Sequence, residues 1–204
     1  MARTFAFLDL ETTGLPCQEA NLTRITEICI VACSVEHMRT VDKPRVIHKL
    51  SVCVNPKRKI SSYACDITGL NNILLANDNV FDANTSQLIA CFLAQLQQPV
   101  CLVAHNGMAF DYPILKAHLT TTVLPDTLLC CDSLHVFRQT QENCTKFSQS
   151  AIYNRMFQCD PPDAHTAEGD VLALMKCAIA DKSFIDTSLR HIYPFSSVVA
   201  ISIQ

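Results

Sequence analysis

A change in hydrophobic pattern near residue 100 constrains the fold of this chain more than any other feature of its sequence. Before it, strand-like patterns with short connections predict an antiparallel meander, followed by one amphipathic helix. After it, apolar strands alternate with helices, which is typical of strand–helix units. The sequence therefore predicts an α/β fold with a mixed five-stranded sheet flanked by helices. The predicted strands are residues 5–11, 25–36, 48–54, 100–104 and 128–131, and the predicted helices are residues 85–97, 113–119, 148–157 and 167–180.

The composition is that of a compact globular chain. Of 204 residues, 49% are hydrophobic and 17% are charged, which favours one domain over residues 1–204 and excludes a disordered chain. The net charge of −3 argues against a protein that holds nucleic acid by bulk positive charge. Any contact with nucleic acid must therefore be local.

Twelve cysteines raise the question of disulfides or metal. The N-terminus lacks the pattern of a signal peptide, so we expect an intracellular, reduced protein, cytoplasmic or nuclear. There is no C-x-x-C motif, so a zinc site is poorly supported. A cysteine-rich metal-storage or redox protein is supported by the composition alone. No apolar run approaches the roughly 20 residues of a membrane span, so no membrane partner is expected.

Two acids interrupt the first predicted strand. Asp9 and Glu11 are two residues apart, so on a strand both side chains point to the same face. Like charges this close are costly unless a cation lies between them, and a divalent ion is the usual solution. The alternative is a solvated strand end. The Thr-Thr-Gly sequence that follows places the pair at the carboxyl end of the strand, where open sheets commonly hold their sites.

A second cluster lies in the sequence LVAHNGMAFDYPIL at residues 102–115. An apolar strand runs into a His-Asn-Gly turn, and Pro113 stands near the start of the next helix. Asp111 falls in the first turn of that helix. Its simpler interpretation is an acid that offsets the helix dipole.

A third cluster is DAHTAEGDVLAL at residues 163–174. On one helix His165 and Asp170 would lie about 140° apart, so they could not share a face. Thr166 is a plausible N-cap, which leaves His165 in the preceding loop and Asp170 on the helix. With an ordinary pKa of about 6.5, a loop histidine can accept the proton of an attacking water. Either residue alone could equally be an ordinary surface group.

Four carboxylates and one base suit two-metal phosphoryl chemistry, in which ions activate water and stabilise the leaving oxygen. The motifs DLETTG, HNGxxFD and HxAxxD occur in that order. With them the chain resembles the DEDD exonucleases of the histidine-containing subtype, which have a ribonuclease H-like fold. LVAHNGMAFDYPIL, the CDS at residues 131–133 and PPDAHTAEGDVLAL are similar to the three-prime repair exonucleases of animals, in a short form without a tail.

The resemblance implies removal of nucleotides from DNA 3′ ends in the 3′-to-5′ direction, with two Mg²⁺ ions per site that Mn²⁺ can replace. It implies that Asp9, Glu11 and Asp170 ligate metal, that Asp111 acts directly or through water, and that His165 is the general base. The residues implied in substrate binding are Glu11, Thr12, Leu15, Pro16, Ile67, His105, Asn106, Phe110, Ser148 and His165. The implied partners are single-stranded DNA or DNA 3′ ends, and a second copy of the chain. Residues 48–54 are the candidate edge strand for such a homodimer.

The sequence also departs from that group. Met108 and Ala109 stand where close relatives carry a charged pair, and residues 138–144, expected to form an exposed loop, lack an arginine cluster. An RNA-trimming enzyme of the same chemistry remains an alternative, because a metal centre acting on phosphate does not itself sense the 2′-OH. A module that binds nucleic-acid ends without catalysis is a further alternative. It would usually have lost one of the five residues.

Overall fold

The computed structural model describes residues 1–119, 124–142 and 144–202. The strands are β1 (Thr4–Thr12), β2 (Ile25–Ser34), β3 (His48–Cys53), β4 (Val100–Ala104), β5 (Leu129–Asp132) and β6 (Tyr193–Pro194). The helices are α1 (Val35–Thr40), α2 (Ser62–Thr68), α3 (Ala83–Gln95), α4 (Asp111–His118), α5 (Ser133–Thr140), α6 (Gln149–Phe157), α7 (Ala167–Ala180) and α8 (Phe184–Arg190). A short 3₁₀ helix, Phe195–Ser197, follows β6.

The strands form one mixed sheet in the order β3-β2-β1-β4-β5-β6. β1, β2 and β3 form the predicted antiparallel meander, and β4 and β5 run parallel to β1. The α/β prediction is therefore confirmed, with six strands instead of five. The additional strand β6 has only two residues, Tyr193 and Pro194, which pair with the edge of β5. A strand of two residues is too short to show an alternating hydrophobic pattern, so the sequence does not predict it.

The register of β1 divides the hydrophobic core into two layers. Phe5 and Phe7 face the cluster that includes the buried stripe of α7, whereas Leu8 and Leu10 face the cluster formed with α3 and α4. Because side chains alternate along a strand, Asp9 and Glu11 continue the row of Phe5 and Phe7. Both acids therefore point to the side of the sheet that α7 covers.

Side-chain caps fix several helix starts. Thr166 accepts a hydrogen bond from the Gly169 N–H, so it is the N-cap of α7, as the sequence predicts. Ser34 caps α1 in the same way, and for this reason β2 ends at Ser34 instead of reaching residue 36. The expectation of a loop over residues 138–144 is wrong in part. Residues 138–140 form the last turn of α5, whose N-cap Asp132 and buried Val136 and Phe137 stabilise it.

Among the described residues, the helices lack the combination of length and apolar character that a membrane crossing requires.

Candidate active site

Three carboxylates converge at the carboxyl end of β1. Asp9 and Glu11 project from the strand toward α7, and Asp170 lies in the first turn of that helix. One carboxylate oxygen from each of the three lies within 4.8 Å of the other two. The residues come from both ends of the sequence, and the packing of α7 on the sheet brings them together.

Asp111 adjoins this trio from the opposite layer. It is the first residue of α4 and only 2% exposed. Its carboxylate accepts hydrogen bonds from the main-chain N–H groups of Asp111 itself and of Leu10, and its charge acts on Asp9. Among the described residues its Oδ1 atom has no hydrogen-bond partner. A buried carboxylate oxygen without a partner destabilises the fold, and a bound cation would supply the missing interaction.

Burial raises the pKa values of all four acids, and repulsion from the other cluster acids adds to this at Asp9 and Glu11. Burial, followed by repulsion from Asp111, Asp170 and other acids, raises the pKa of Asp9 well above its ordinary value. Burial and then the charges of Asp170 and other acids raise the pKa of Glu11 to about 8. Burial raises the pKa of Asp111 to about 7. It also raises the pKa of Asp170, against hydrogen bonds that lower it. Such a cluster can be fully ionised at neutral pH only if positive charge enters it.

The donor set fits a hard divalent cation. The three converging ligand atoms are carboxylate oxygens, which suit hard ions better than soft ones. Cys29 lies directly opposite Asp9 in the β1–β2 register. Burial raises the pKa of its thiol to about 12, so it stays protonated and is not a thiolate ligand at neutral pH.

The loop before α7 holds the backbone of His165 against Asp170. Asp163 and His165 both have left-handed backbones, with φ of 52° and 66°, and the side chain of His165 is exposed. The His165 N–H donates to Asp170 Oδ2 at 2.9 Å. Thr166 donates from its hydroxyl to the Asp163 carbonyl at 2.8 Å. The histidine therefore lies outside the helix, as the sequence predicts, and is tied to the acid that follows it.

Gly169 permits this loop to approach the helix closely. A Cβ atom at this position would lie 2.1 Å from the Asp163 carbonyl oxygen and 2.8 Å from Thr166 Oγ1. No side chain fits in that space. The identity of residue 169 therefore sets the position of the His165 loop, a role that the sequence analysis did not assign.

Glu27 is an acid of the site that the sequence analysis missed. It lies opposite Glu11 in the β1–β2 register, and its Oε2 atom accepts a hydrogen bond from the Ala167 N–H at 3.1 Å. It thus satisfies a free N–H at the start of α7 and offsets the helix dipole. The available signal was that Glu27 is the single acid in the largely apolar strand Ile25–Ser34.

Asp132, at the end of β5, holds the loop after β4 in place by hydrogen bonds. Asp132 accepts hydrogen bonds from the N–H groups of Asn106 at 3.0 Å and Met108 at 3.1 Å. His105 Nε2 lies 2.8 Å from the Phe147 carbonyl oxygen, and Nδ1 lies 3.0 Å from Ser133 Oγ. Since a carbonyl only accepts, Nε2 carries the proton and Nδ1 accepts from the serine. Both ring nitrogens of His105 are therefore engaged within the protein.

The remaining predicted substrate residues lie at the end of β1, in the turn after it, on α2, in the loop after β4 and at the start of α6. Thr12 is buried directly after Glu11, and its hydroxyl donates to the Gly14 carbonyl at 3.0 Å. Ser61, the N-cap of α2, donates its N–H to the Thr13 carbonyl at 2.9 Å, which fixes α2 beside this turn. The other predicted side chains are solvent-accessible to different degrees: Leu15, Asn106 and Ser148 are exposed, and Pro16, Ile67 and Phe110 are half-buried.

Solved structures share this fold. Cell-death related nuclease 4 matches with a TM-score of 0.67 and 18% identity, over 89% of this chain and 64% of that chain. The zinc-bound complex of E. coli ExoI with single-stranded DNA matches with a TM-score of 0.69 and 17% identity, over 93% of this chain and 43% of that chain. The chain thus spans less than two thirds of either protein. These neighbours show that the chain has the ribonuclease H-like fold of exonucleases.

Comparison with known sequences shows the family to which the chain belongs. Residues 6–178 match the family model of exonucleases, RNase_T. The chain is 35% identical to three-prime repair exonuclease 1 of Homo sapiens, over 96% of this chain and 69% of that protein. It is 33% identical to three prime repair exonuclease 2 of Mus musculus, over 85% of this chain and 81% of that protein. The chain therefore belongs to the exonuclease family and, within it, to the three-prime repair exonucleases, which confirms the resemblance drawn from its motifs.

Proposed function

We propose that residues 1–204 act as a single exonuclease domain that removes nucleotides one at a time from the 3′ ends of DNA. The observation that carries this proposal is the convergence of Asp9, Glu11 and Asp170 on one point, beside a buried Asp111 oxygen that lacks a partner among the described residues. The chemistry is hydrolysis of the terminal phosphodiester bond, with release of a 5′-mononucleotide.

We assign the metal ligands to these four carboxylates, and the ions to two Mg²⁺, which Mn²⁺ can replace. Bound cations would supply positive charge that acidifies an attacking water and stabilises the oxygen that leaves. All four side chains offer only oxygen ligands, which is the preference of Mg²⁺. The protein's contribution is a rigid cage, since Asp9 and Glu11 lie on a strand and Asp170 on a capped helix.

His165 is the proposed general base. Its exposed side chain can take a proton from the attacking water and release it to solvent. Its main-chain bond to Asp170 keeps the loop at the acid cluster while the imidazole stays free. A base on a loop that is fixed at its backbone can act without contributing a metal ligand.

The proposed substrate is the 3′ end of single-stranded DNA. An exonuclease of the same fold is complexed with single-stranded DNA, and the relatives are named as repair exonucleases. Leu15 is 44% exposed in the turn after β1, and with Pro16 and Ile67 it offers an apolar surface to terminal bases. Base stacking contributes about 1 to 3 kcal/mol per base and tolerates any sequence, which suits a chain with a net charge of −3.

The loop of residues 105–110 and the start of α6 form the facing side of the proposed substrate site. Asn106 and Ser148 are exposed there, and Phe110 is half-buried. His105 joins the two segments through its bond to the Phe147 carbonyl. We propose that Asn106, Phe110 and Ser148 contact the terminal nucleotide and that His105 holds their segments in place.

Two oligonucleotides test the polarity and the substrate. A single-stranded DNA labelled at the 5′ end should shorten in single-nucleotide steps in Mg²⁺, and the same DNA labelled at the 3′ end should lose its label first. EDTA should stop both reactions. Stepwise loss from the 5′ end would refute the proposed direction, and faster degradation of a matched RNA would reassign the substrate.

The location and assembly of the protein are further parts of the proposal. All twelve cysteines lie within the described residues and are free thiols, which suits the reducing cytoplasm or nucleus. β3 is an edge of the sheet with alternate exposed side chains, so we propose that two copies associate through it. A sizing measurement that finds only monomer at micromolar concentration would refute the homodimer.

A further inference from the structure

Gln149 makes two hydrogen bonds to the proposed metal ligand Asp170. Its Nε2 atom lies 2.9 Å from the Asp170 carbonyl oxygen and 3.0 Å from Oδ1 of the same residue. A carboxamide nitrogen has two hydrogens, so it can donate to both acceptors at once. The Gln149 side chain thus hydrogen-bonds both the main-chain carbonyl and the carboxylate of Asp170, which fixes the carboxylate relative to its own helix.

The two carboxylate oxygens of Asp170 have different donors. Oδ1 accepts from Gln149 and Oδ2 accepts from the His165 N–H at 2.9 Å. Each ionised carboxylate oxygen can accept more than one bond, so both keep capacity for a cation. The hydrogen bonds therefore orient this ligand without occupying it fully.

Gln149 is itself held in place from both sides. It is the first residue of α6, and the N-cap Ser148 accepts a hydrogen bond from the Ala151 N–H at 3.3 Å. Two residues earlier, the Phe147 carbonyl accepts from His105. The guanidinium of Arg155 lies 5.8 Å from the centre of the Phe147 ring. The start of α6 is thus anchored to the loop after β4 as well as to α7.

We propose that Gln149 is a positioning residue for metal binding, which orients the carboxylate of Asp170 toward Asp9 and Glu11 before a cation arrives. This inference rests on the proposed function, because it assumes that these carboxylates hold the divalent ion. Hydrogen-bond partners of metal ligands typically change metal affinity by about 10- to 100-fold when they are removed. Gln149 is half-buried and offers an uncharged donor, so it orients Asp170 without competing with the cation for it.

The test measures Mn²⁺ binding to the DNA-free protein by isothermal titration calorimetry. Gln149→Met keeps the length of the side chain and its helix preference but removes both donors, and it should bind Mn²⁺ about 10- to 100-fold more weakly. Gln149→Asn, whose carboxamide is one methylene short of Asp170, should lose affinity in the same direction and provides a second variant. Gln87→Met is the matched control, since Gln87 is exposed on α3 and its side chain donates to Cys91, far along the chain from the acids.

A second readout separates positioning from general stability. Thermal unfolding in EDTA measures what the loss of the two hydrogen bonds costs the metal-free protein. Measured from that baseline, the increase in melting temperature on adding Mn²⁺ should be smaller in the Gln149 variants than in the wild type. Equal Mn²⁺ affinity in wild type and variants would overturn the inference and leave the proposed function intact. Absence of both Mn²⁺ binding and DNA degradation in the wild type would overturn the function, and this inference with it.

Discussion

The main-chain N–H of His165 donates a hydrogen bond to the carboxylate of Asp170 at 2.9 Å. This bond closes the loop of residues 163–166 over the start of α7, so the proposed base and the proposed metal ligand move as one unit. Because the bond uses the backbone of His165, the imidazole is left free for proton transfer. Base and ligand can therefore be separated by mutation.

Replacement of His165 should slow turnover by orders of magnitude and spare metal binding. Asparagine tolerates the left-handed backbone at this position, so His165→Asn keeps the loop and its bond to Asp170. We expect a fall in kcat of about 100- to 10,000-fold, the usual contribution of a general base. Single-turnover rates on labelled DNA and Mn²⁺ titration of the free protein measure the two properties. His37→Asn, at an exposed position on α1, is the control and should keep full activity. Normal turnover in His165→Asn would remove the histidine from the mechanism.

Gly169→Ala should displace the His165 loop. In an ordinary helix interior this change would stabilise the protein by about 1 kcal/mol. Here the new Cβ atom would lie 2.1 Å from the Asp163 carbonyl oxygen, so the loop must move. A displacement of about 1 Å near a reacting centre can cost about 100-fold in rate, and we expect a loss of kcat of that size. Leu172→Ala, at an exposed position of the same helix, should leave the rate unchanged. A Gly169→Ala enzyme with wild-type kcat would show that the loop position does not matter.

The metal-free protein should lose stability as the pH rises. The pKa of Glu11 is raised from its ordinary 4.5 to about 8, so between these values the folded chain binds more protons than the unfolded chain. The free energy of unfolding therefore falls with increasing pH across this window. In EDTA we expect the melting temperature to drop by about 5 °C or more between pH 5.5 and pH 8. Added Mn²⁺ should reverse the drop at pH 8.

Glu11→Gln should flatten this pH dependence, because the neutral amide removes one of the repelling charges. Glu36→Gln, at an exposed site on α1, should leave the slope as it is in the wild type. Differential scanning fluorimetry in matched buffers is sufficient. A melting temperature in EDTA that rises from pH 5.5 to pH 8 would contradict the account of charge repulsion in the cluster.

The sequence predicts those parts of the site that have local signals. The spacing of Asp9 and Glu11 on an apolar strand is sufficient to place them on one face. Thr166, as an N-cap residue, predicts the start of α7, and the apolar pattern predicts that the helix runs from residue 167 to residue 180. Residues 48–54 are predicted as the candidate edge strand, and the sheet order confirms that β3 lies at an edge of the sheet.

The parts that sequence reasoning missed depend on contacts between distant residues. Glu27 meets Ala167 across 140 positions of the chain. Gln149 meets Asp170 through the packing of α6 beside α7, which no local pattern encodes. Asp132 is visible in the sequence as the acid of a Cys-Asp-Ser segment, but its bonds to the loop of residues 105–110 require that β4 and β5 be neighbours. Short helices depend on features other than periodicity: the Ser61 side chain caps α2, and buried residues such as Phe184 and Ile185 hold α8 by tertiary packing.

In the proposed mechanism Asp9, Glu11 and Asp170 hold divalent cations. Anomalous diffraction from a crystal soaked in Mn²⁺ shows whether such ions bind there. We predict an anomalous peak bounded by the carboxylates of these three residues, and its loss in Asp170→Asn. A Mn²⁺-soaked crystal of the wild type in which these carboxylates are ordered and no anomalous peak lies between them would contradict the account.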